Sequence, residues 1–165
     1  MSFVAILVGS SSDLTTMRET ENVLQKLGIA FETRIRSAHR TPAETAAFIA
    51  DCEQRGCKVF IAAAGLAAHL AGFVAAHTIC PVIGVPMASG TLGGMDALLS
   101  TVQMPAGIPV ATVAIGATGA KNAAYLAAQI LALHDETLKK RLQDSRESQK
   151  EQILAQNDTL HTLAT

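Results

Sequence analysis

The chain has 165 residues, an apolar fraction of 49% dominated by Ala, Val, Ile and Leu, no Trp, one Tyr and a formal net charge of −1. That length suits a single domain spanning 1–165 with a substantial core, and the near-neutral charge excludes nucleic acid as a partner because no basic stripe can neutralise its phosphates. The first apolar run, Met1–Gly9, is too short for a bilayer and lacks the basic flank of a signal peptide, so no membrane partner and a cytoplasmic location are expected.

Strand-like and helix-like runs then alternate. Phe3–Val8 is continuously apolar, as a strand covered on both faces should be. Leu14–Leu27 has apolar residues at roughly helical spacing and stops at Gly28, a natural C-cap. Phe31–Arg36 is a more polar strand, hence nearer an edge, and Ala43–Arg55 is a helix between Pro42 and Gly56. Val59–Ala64 is a third strand, Ala67–His77 a short Ala-rich helix, and Pro81–Val85 a fourth strand. A loose Ser89-Gly90-Thr91 stretch precedes a helix over Gly93–Val102, Val110–Ile115 is a fifth strand, and Gly119 introduces a helix over Ala120–Leu133. This alternation specifies an α/β fold with right-handed crossovers, a flavodoxin-like three-layer αβα sandwich on about five parallel strands.

From Asp135 to about Gln156 a further helix carries only a thin apolar stripe, Leu138, Leu142, Ile153 and Leu154. Either it adds little to its own core and reaches across to a neighbouring subunit, or it is a solvated, partly frayed tail; residues after Thr159 have the composition of a fraying end. The density of small residues suggests close packing and some surface hidden by a partner. Cys52, Cys57 and Cys80 form neither a zinc motif nor a disulfide framework and read as small buried hydrophobes.

Three polar segments sit where strands run out, and in an open parallel sheet such loops converge on one crevice. Gly9-Ser10-Ser11-Ser12-Asp13 places hydroxyls and the first amides of a helix together, an anion site; alternatively Ser12 or Asp13 only caps that helix. Asp13 would repel a phosphate, so in a functional role it accepts hydrogen bonds from hydroxyls such as a ribose diol. Ser37-Ala38-His39-Arg40-Thr41-Pro42 offers a guanidinium suited to gripping phosphate and an imidazole able to exchange protons near neutral pH. Gly65-Leu66-Ala67-Ala68-His69-Leu70 is nearly bare of side chains, so its amides can approach a ligand carboxylate, or its Ala residues serve tight packing. His77, His134 and His161 lack a polar cluster and receive no role.

These segments occur together with Ala62-x-Ala64-Gly65-x-Ala67-Ala68-His69-Leu70, Pro81-Val82-x-Gly84-Val85-Pro86, Gln103-Met104-Pro105-x-Gly107-Ile108-Pro109-Val110 and Ala124-x-x-Ala127-Ala128-Gln129-Ile130-Leu131. From about Val4 to Arg146 the set resembles the class I N5-carboxyaminoimidazole ribonucleotide mutase family of purine (IMP) biosynthesis. The resemblance implies an isomerase that moves a carboxylate from an exocyclic nitrogen to the C4 carbon of an imidazole ribonucleotide. It needs neither metal nor nucleotide cofactor, and it works as a homo-octamer with sites at subunit contacts. It makes His39 the proton-transfer residue, and Ser10, Asp13 and Arg40, with Ser12 and Ser37 beside them, the phosphoribosyl site. Ala38 and Ala64 join the substrate-binding set, and Gly65, Ala67, Ala68, His69 and Leu70 enclose the imidazole and its carboxylate. The implied cycle releases the carbamate as CO2 while the nitrogen gains a proton, traps that CO2 in a dry pocket, and adds it at C4 as His39 removes the C4 proton.

The sequence departs from the family pattern at Leu66, where a second Gly is usual, at Ala63, where Gly is frequent, and at Ala71, where Pro is usual. Leu66 adds bulk near the CO2 pocket. A relative that carboxylates aminoimidazole ribonucleotide directly with CO2 is the alternative activity, and Ala67–Leu70 favours the mutase. A non-catalytic flavodoxin-like module binding FMN or a nucleotide is the more remote one, disfavoured because the three loops carry no aromatic residue.

Overall fold

Phe3–Val8 is apolar and buried at every position, which requires a sheet covered on both faces. It forms β1, the second strand of a five-stranded parallel sheet ordered β2-β1-β3-β4-β5. The other strands are β2 (Phe31–Ile35), β3 (Cys57–Ala64), β4 (Val82–Pro86) and β5 (Ala111–Thr112). The computed structural model describes residues 2–158 and 160; the expectations for His161 and for a fraying end after Thr159 fall, Leu160 aside, outside them.

The helices are α1 (Leu14–Lys26), α2 (Pro42–Gln54), α3 (Leu70–Ala75), α4 (Met95–Val102), α5 (Ala117–Leu131) and α6 (Glu136–Asp158). Alternate strand residues feed two cores. Val4, Ile6, Val8, Val59 and Ile61 pack under α1 and α5, while Ala5, Leu7, Phe60 and Ala62 pack under α2 and α3. Thr101 of α4 and Ala71 of α3 meet at Gly84 of β4, so α4 shares the α2–α3 face. The result is the flavodoxin-like three-layer arrangement that the alternation of elements predicts.

Several boundaries move for identifiable reasons. β3 starts at Cys57 rather than Val59 because the register slips between Phe3 and Val4, letting Cys57 pair with Phe3. β5 shrinks to two residues at the sheet edge. Beyond it Val113 and Gly116 still donate single bonds to the carbonyls of Gly84 and Pro86, at 3.1 and 2.9 Å. α3 begins three residues later than periodicity suggests, because His69 N–H turns back to the Ala67 carbonyl at 2.8 Å. α4 begins after Gly93 and Gly94, both at positive φ, and α5 begins at Ala117, with Gly119 inside it rather than before it.

The last helix differs most from its sequence reading. Leu138 is buried and Leu142 packs on the α1–α5 core, so the first half of α6 belongs to this chain's own interior. Its Arg141 guanidinium donates to the Leu27 carbonyl at 2.9 Å, capping the C-terminus of α1 through space that Gly28 leaves open. Ile153 and Leu154 stay exposed. Cys52 and Cys57 are buried and Cys80 is half-buried, all three free thiols. Burial pushes the Cys52 thiol to about 11 and the Cys57 thiol to about 12, so neither is a nucleophile at neutral pH.

Between α1 and α5 lies a stripe of buried Gly119, Ala120, Ala123, Ala124, Ala127 and Ala128, which lets the helix backbones approach; the buried Thr20 hydroxyl donates to the Ala120 carbonyl at 2.7 Å. A Cβ at Gly119 would lie 1.6 Å from the Ala114 carbonyl oxygen, a collision with backbone that no side-chain movement relieves. Gly119→Ala is therefore expected to lose about 3 kcal/mol of stability, read as a lower denaturant midpoint with an unchanged slope.

Candidate active site

The carboxyl ends of β1, β2 and β3 open onto a cleft of about 420 Å³. After β1, Ser10 caps a 3-10 turn, Ser11–Asp13, that leads into α1. Its Oγ accepts from the Ser12 N–H at 3.3 Å. The Ser12 hydroxyl has one proton and two acceptors in reach, Ser10 Oγ at 3.0 Å and Asp13 Oδ1 at 3.3 Å. Capping therefore falls to Ser10, and Asp13 makes no side-chain cap bond to α1. The Asp13 carboxyl is buried at the cleft wall. Burial raises its pKa above the ordinary 3.8, against smaller opposing contributions from Ser12 and the Ser10 backbone. A carboxylate held out of water and unused by its helix is poised to accept hydrogen bonds from a ligand.

After β2, Ser37 and Thr41 tie a tight turn. Ser37 Oγ accepts from the Arg40 N–H at 3.1 Å, and Thr41 Oγ1 accepts from the Ser37 N–H at 3.0 Å. Pro42 then starts α2. The turn pushes His39 and Arg40 outward, both exposed, and the Arg40 guanidinium has no partner among the described residues. A second lobe of about 350 Å³ adjoins the cleft through Gly9, Ser10, Ser37 and Arg40, adding Ser11 and Thr41 hydroxyls. Hydroxyls, bare amides and a free cation suit that lobe to a phosphate.

After β3, the chain passes Gly65, Leu66, Ala67 and Ala68 before α3 starts, which places His69 at the helix's first flank. His39 Nε2 and His69 Nδ1 stand 2.7 Å apart with the rings edge to face. At that distance one proton lies between the two nitrogens, so one imidazole donates and the other accepts. The rings form one hydrogen-bonded acid–base pair. The sequence reading brought both histidines to one crevice but not to each other.

The structure brings Ser10, Ser12, Asp13, Ser37, Ala38, His39, Arg40, Ala64, Gly65, Ala67, His69 and Leu70 together on the cleft wall. Ala68 alone of the anticipated residues turns away, buried beneath the loop at 1% exposure. Gly9 of the first polar segment and Leu66, expected near the CO2 pocket, also line the cleft, as does Ser89, to which the sequence assigns no role. The signal for Ser89 was the carboxyl end of β4, a fourth strand whose loop reaches the same crevice. Leu66 has φ +56°, the only non-glycine residue at positive φ among the described residues; a side chain there costs about 1–2 kcal/mol.

A larger groove of about 500 Å³ opens elsewhere, at the ends of α1, α5 and the start of α6. Its two most suitable polar groups are already engaged: Asp135 accepts from the Leu138 N–H and Arg141 donates to Leu27. Among the described residues no group of His, Cys, Asp or Glu could hold a metal ion, and no helix is long and apolar enough to cross a membrane.

Fold and cleft together define a flavodoxin-like α/β protein with a histidine pair at the switch point of its sheet. The family described as AIR carboxylase matches residues 3–152, slightly more than the stretch over which the motifs resemble the mutases, and the chain belongs to that family. The N5-carboxyaminoimidazole ribonucleotide mutase of Brucella melitensis is 55% identical over 150 residues, covering 91% of this chain and 93% of its own. That of Escherichia coli K12 is 50% identical over 155 residues, covering 94% and 92%. The crystal structure of Treponema denticola PurE matches with a TM-score of 0.88 at 32% identity, covering 98% of this chain and 100% of its own.

Because burial raises the native Asp13 pKa above 3.8, the unfolded chain gives up this proton first, so stability falls as pH rises from below 3.8 through the native value. Asp13→Asn, uncharged in both states, removes that fall. It is expected to exceed the native chain in stability at neutral pH and to match it in acid, by denaturant titration at both pH values. Lower stability of Asp13→Asn at neutral pH would show that the carboxylate is a structural asset rather than a ligand site.

Proposed function

We infer that this chain is the isomerase that converts N5-carboxyaminoimidazole ribonucleotide to 4-carboxy-5-aminoimidazole ribonucleotide in de novo purine (IMP) biosynthesis. The observation that carries the reading is the His39–His69 pair at 2.7 Å, set in a cleft that also presents serine hydroxyls, the Asp13 carboxyl, small apolar residues and the Arg40 guanidinium. Arg40 and the serines of the side lobe take the phosphate, and the Asp13 carboxylate accepts from the ribose hydroxyls. The bare Gly65–Ala67 backbone lets the flat ring and its carboxylate lie close to the loop.

The reaction removes a proton and returns one. As the N–CO2 bond breaks, the nitrogen takes a proton and CO2 is set free; the ring C4 then attacks CO2, and the C4 proton leaves to base. One acid–base unit can serve both transfers, as acid first and base second, with no net change. We assign the direct transfers to His39, with His69 holding its ring and sharing its proton. The direct carboxylation of aminoimidazole ribonucleotide is the second reading, favoured by the family's description and using the same cleft.

We further propose that the chain acts in the cytoplasm as a homo-octamer, with 1–165 as one domain and no resident metal or cofactor. Met95, Leu99 and Val102 leave an apolar stripe along the outer face of α4, continued by Leu92, and Ile153 and Leu154 do the same late in α6. Such faces support subunit contacts, including the contact of the α6 end with a neighbour. Sedimentation of the purified protein as a single large species would support the assembly, and a monomer at micromolar concentration would exclude it.

Purified protein is mixed with N5-carboxyaminoimidazole ribonucleotide, without ATP or metal, and in parallel with aminoimidazole ribonucleotide and bicarbonate. Rapid formation of the C4-carboxylated product only in the first mixture is expected; efficient conversion only in the second would replace the mutase by the direct carboxylase. His39→Asn is expected to lose about 10²–10⁴ in kcat. His69→Asn should retain more activity with an altered pH profile. A His39→Asn variant with native turnover would overturn the assignment.

A further inference from the structure

The loop that follows β4, residues 87–94, borders the cleft beside Gly65 and contributes Ser89 to its wall. Its attachment is sparse. The Met87 N–H continues the β3–β4 ladder by donating to the Ala64 carbonyl at 2.9 Å. Beyond that bond, Ala88, Ser89, Gly90 and Thr91 make no hydrogen bond among the described residues. Gly90, Gly93 and Gly94 all have positive φ, so the segment has little conformational stiffness of its own.

Beyond Met87 in the core and the packing of Ala88 and Gly94, two side chains join this segment to the loop after β3, one from each loop. Leu66 reaches over Gly90: a Cβ on Gly90 would stand 2.5 Å from Leu66 Cδ2. Ser89 reaches back over Gly65, where a Cβ would stand 2.1 Å from its Oγ. Each loop thus seats one side chain in the notch that the other's glycine leaves. Leu66 accepts a left-handed backbone, φ +56°, to make this contact, and its side chain remains 54% exposed at the cleft mouth. A strained, half-exposed leucine that adds nothing to either core needs a local reason for its conformation, and the Gly90 contact supplies one.

We propose that Leu66 is a positioning residue that fastens the 88–91 loop across the mouth of the cleft and so keeps released CO2 beside the ring. The fastening follows from the two contacts alone; the retention of CO2 rests on the mutase reading above. The role assigned to Leu66 passes through the loop.

The test compares the native protein with Leu66→Gly, Leu66→Ala and Leu66→Met. Glycine accepts φ +56° without strain, so Leu66→Gly keeps its fold while losing the contact. Backbone order parameters at residues 88–91 are expected to fall from the rigid range of about 0.85 toward about 0.6 in Leu66→Gly and Leu66→Ala, while Leu66→Met, long enough to reach Gly90, restores native values. With N5-carboxyaminoimidazole ribonucleotide as substrate, Leu66→Gly should release about fivefold more aminoimidazole ribonucleotide and free CO2 per C4-carboxylated product than the native protein. Unchanged order parameters at 88–91 in Leu66→Gly would overturn the fastening. Lower order parameters with a native product ratio would overturn its service to the cleft. If the native protein fails to convert the substrate at all, the mutase reading falls, and the order-parameter comparison still decides whether Leu66 holds the loop.

Discussion

A parallel strand delivers its chain at one end of the sheet, and the helix that follows must choose a face. After β1 the chain goes to one face as α1, whereas after β3 it goes to the other as α3. Because β1 and β3 are neighbours, the two departing loops part and leave a crevice that nothing in the sheet can fill. Every chemical group in the candidate site depends on that divergence. Asp13 arrives from the β1 side and His69 from the β3 side, and β2, paired to β1 from Val4↔Phe31 to Val8↔Ile35, brings His39 and Arg40 up to the same level. A histidine pair 30 residues apart in sequence therefore meets at 2.7 Å by register, not by local spacing.

The thinness of the layers follows from side-chain size. Gly84 in β4 faces Thr101, Val110 and Ala71, and even one added carbon would lie 2.4 Å from Thr101 Cγ2. The Ala stripe of α5 has the same effect on the opposite face. Helices that sit close to the sheet keep the loops at its carboxyl ends short, and short loops hold polar groups with few degrees of freedom.

The strands were plain in the sequence, because buried parallel strands are short continuous apolar runs, as in β1, β4 and Val59–Ala64 of β3. The site was legible as three loops for the same reason: polar clusters at strand ends have one place to go. What escaped was set by contacts distant in sequence. The meeting of His39 with His69 depends on the β1–β2 and β1–β3 registers, neither of which leaves a mark in either loop. The turn at Ala67–His69 overrode an Ala-rich helical pattern because its backbone bond and the Leu66 conformation are tertiary choices. The seating of α6 on its own chain was not legible, because Leu138, Leu142 and Arg141 meet residues more than a hundred positions earlier as well as α5.

That arginine has a consequence for the order of events in synthesis. The carbonyl it caps belongs to Leu27, a buried residue at the end of the first helix, and the two are 114 positions apart. During translation α1 is made long before residue 141 leaves the ribosome, so until then the Leu27 carbonyl is left to water. The first helix of the nascent chain is sealed by the last, at the end of the sheet opposite its chemistry.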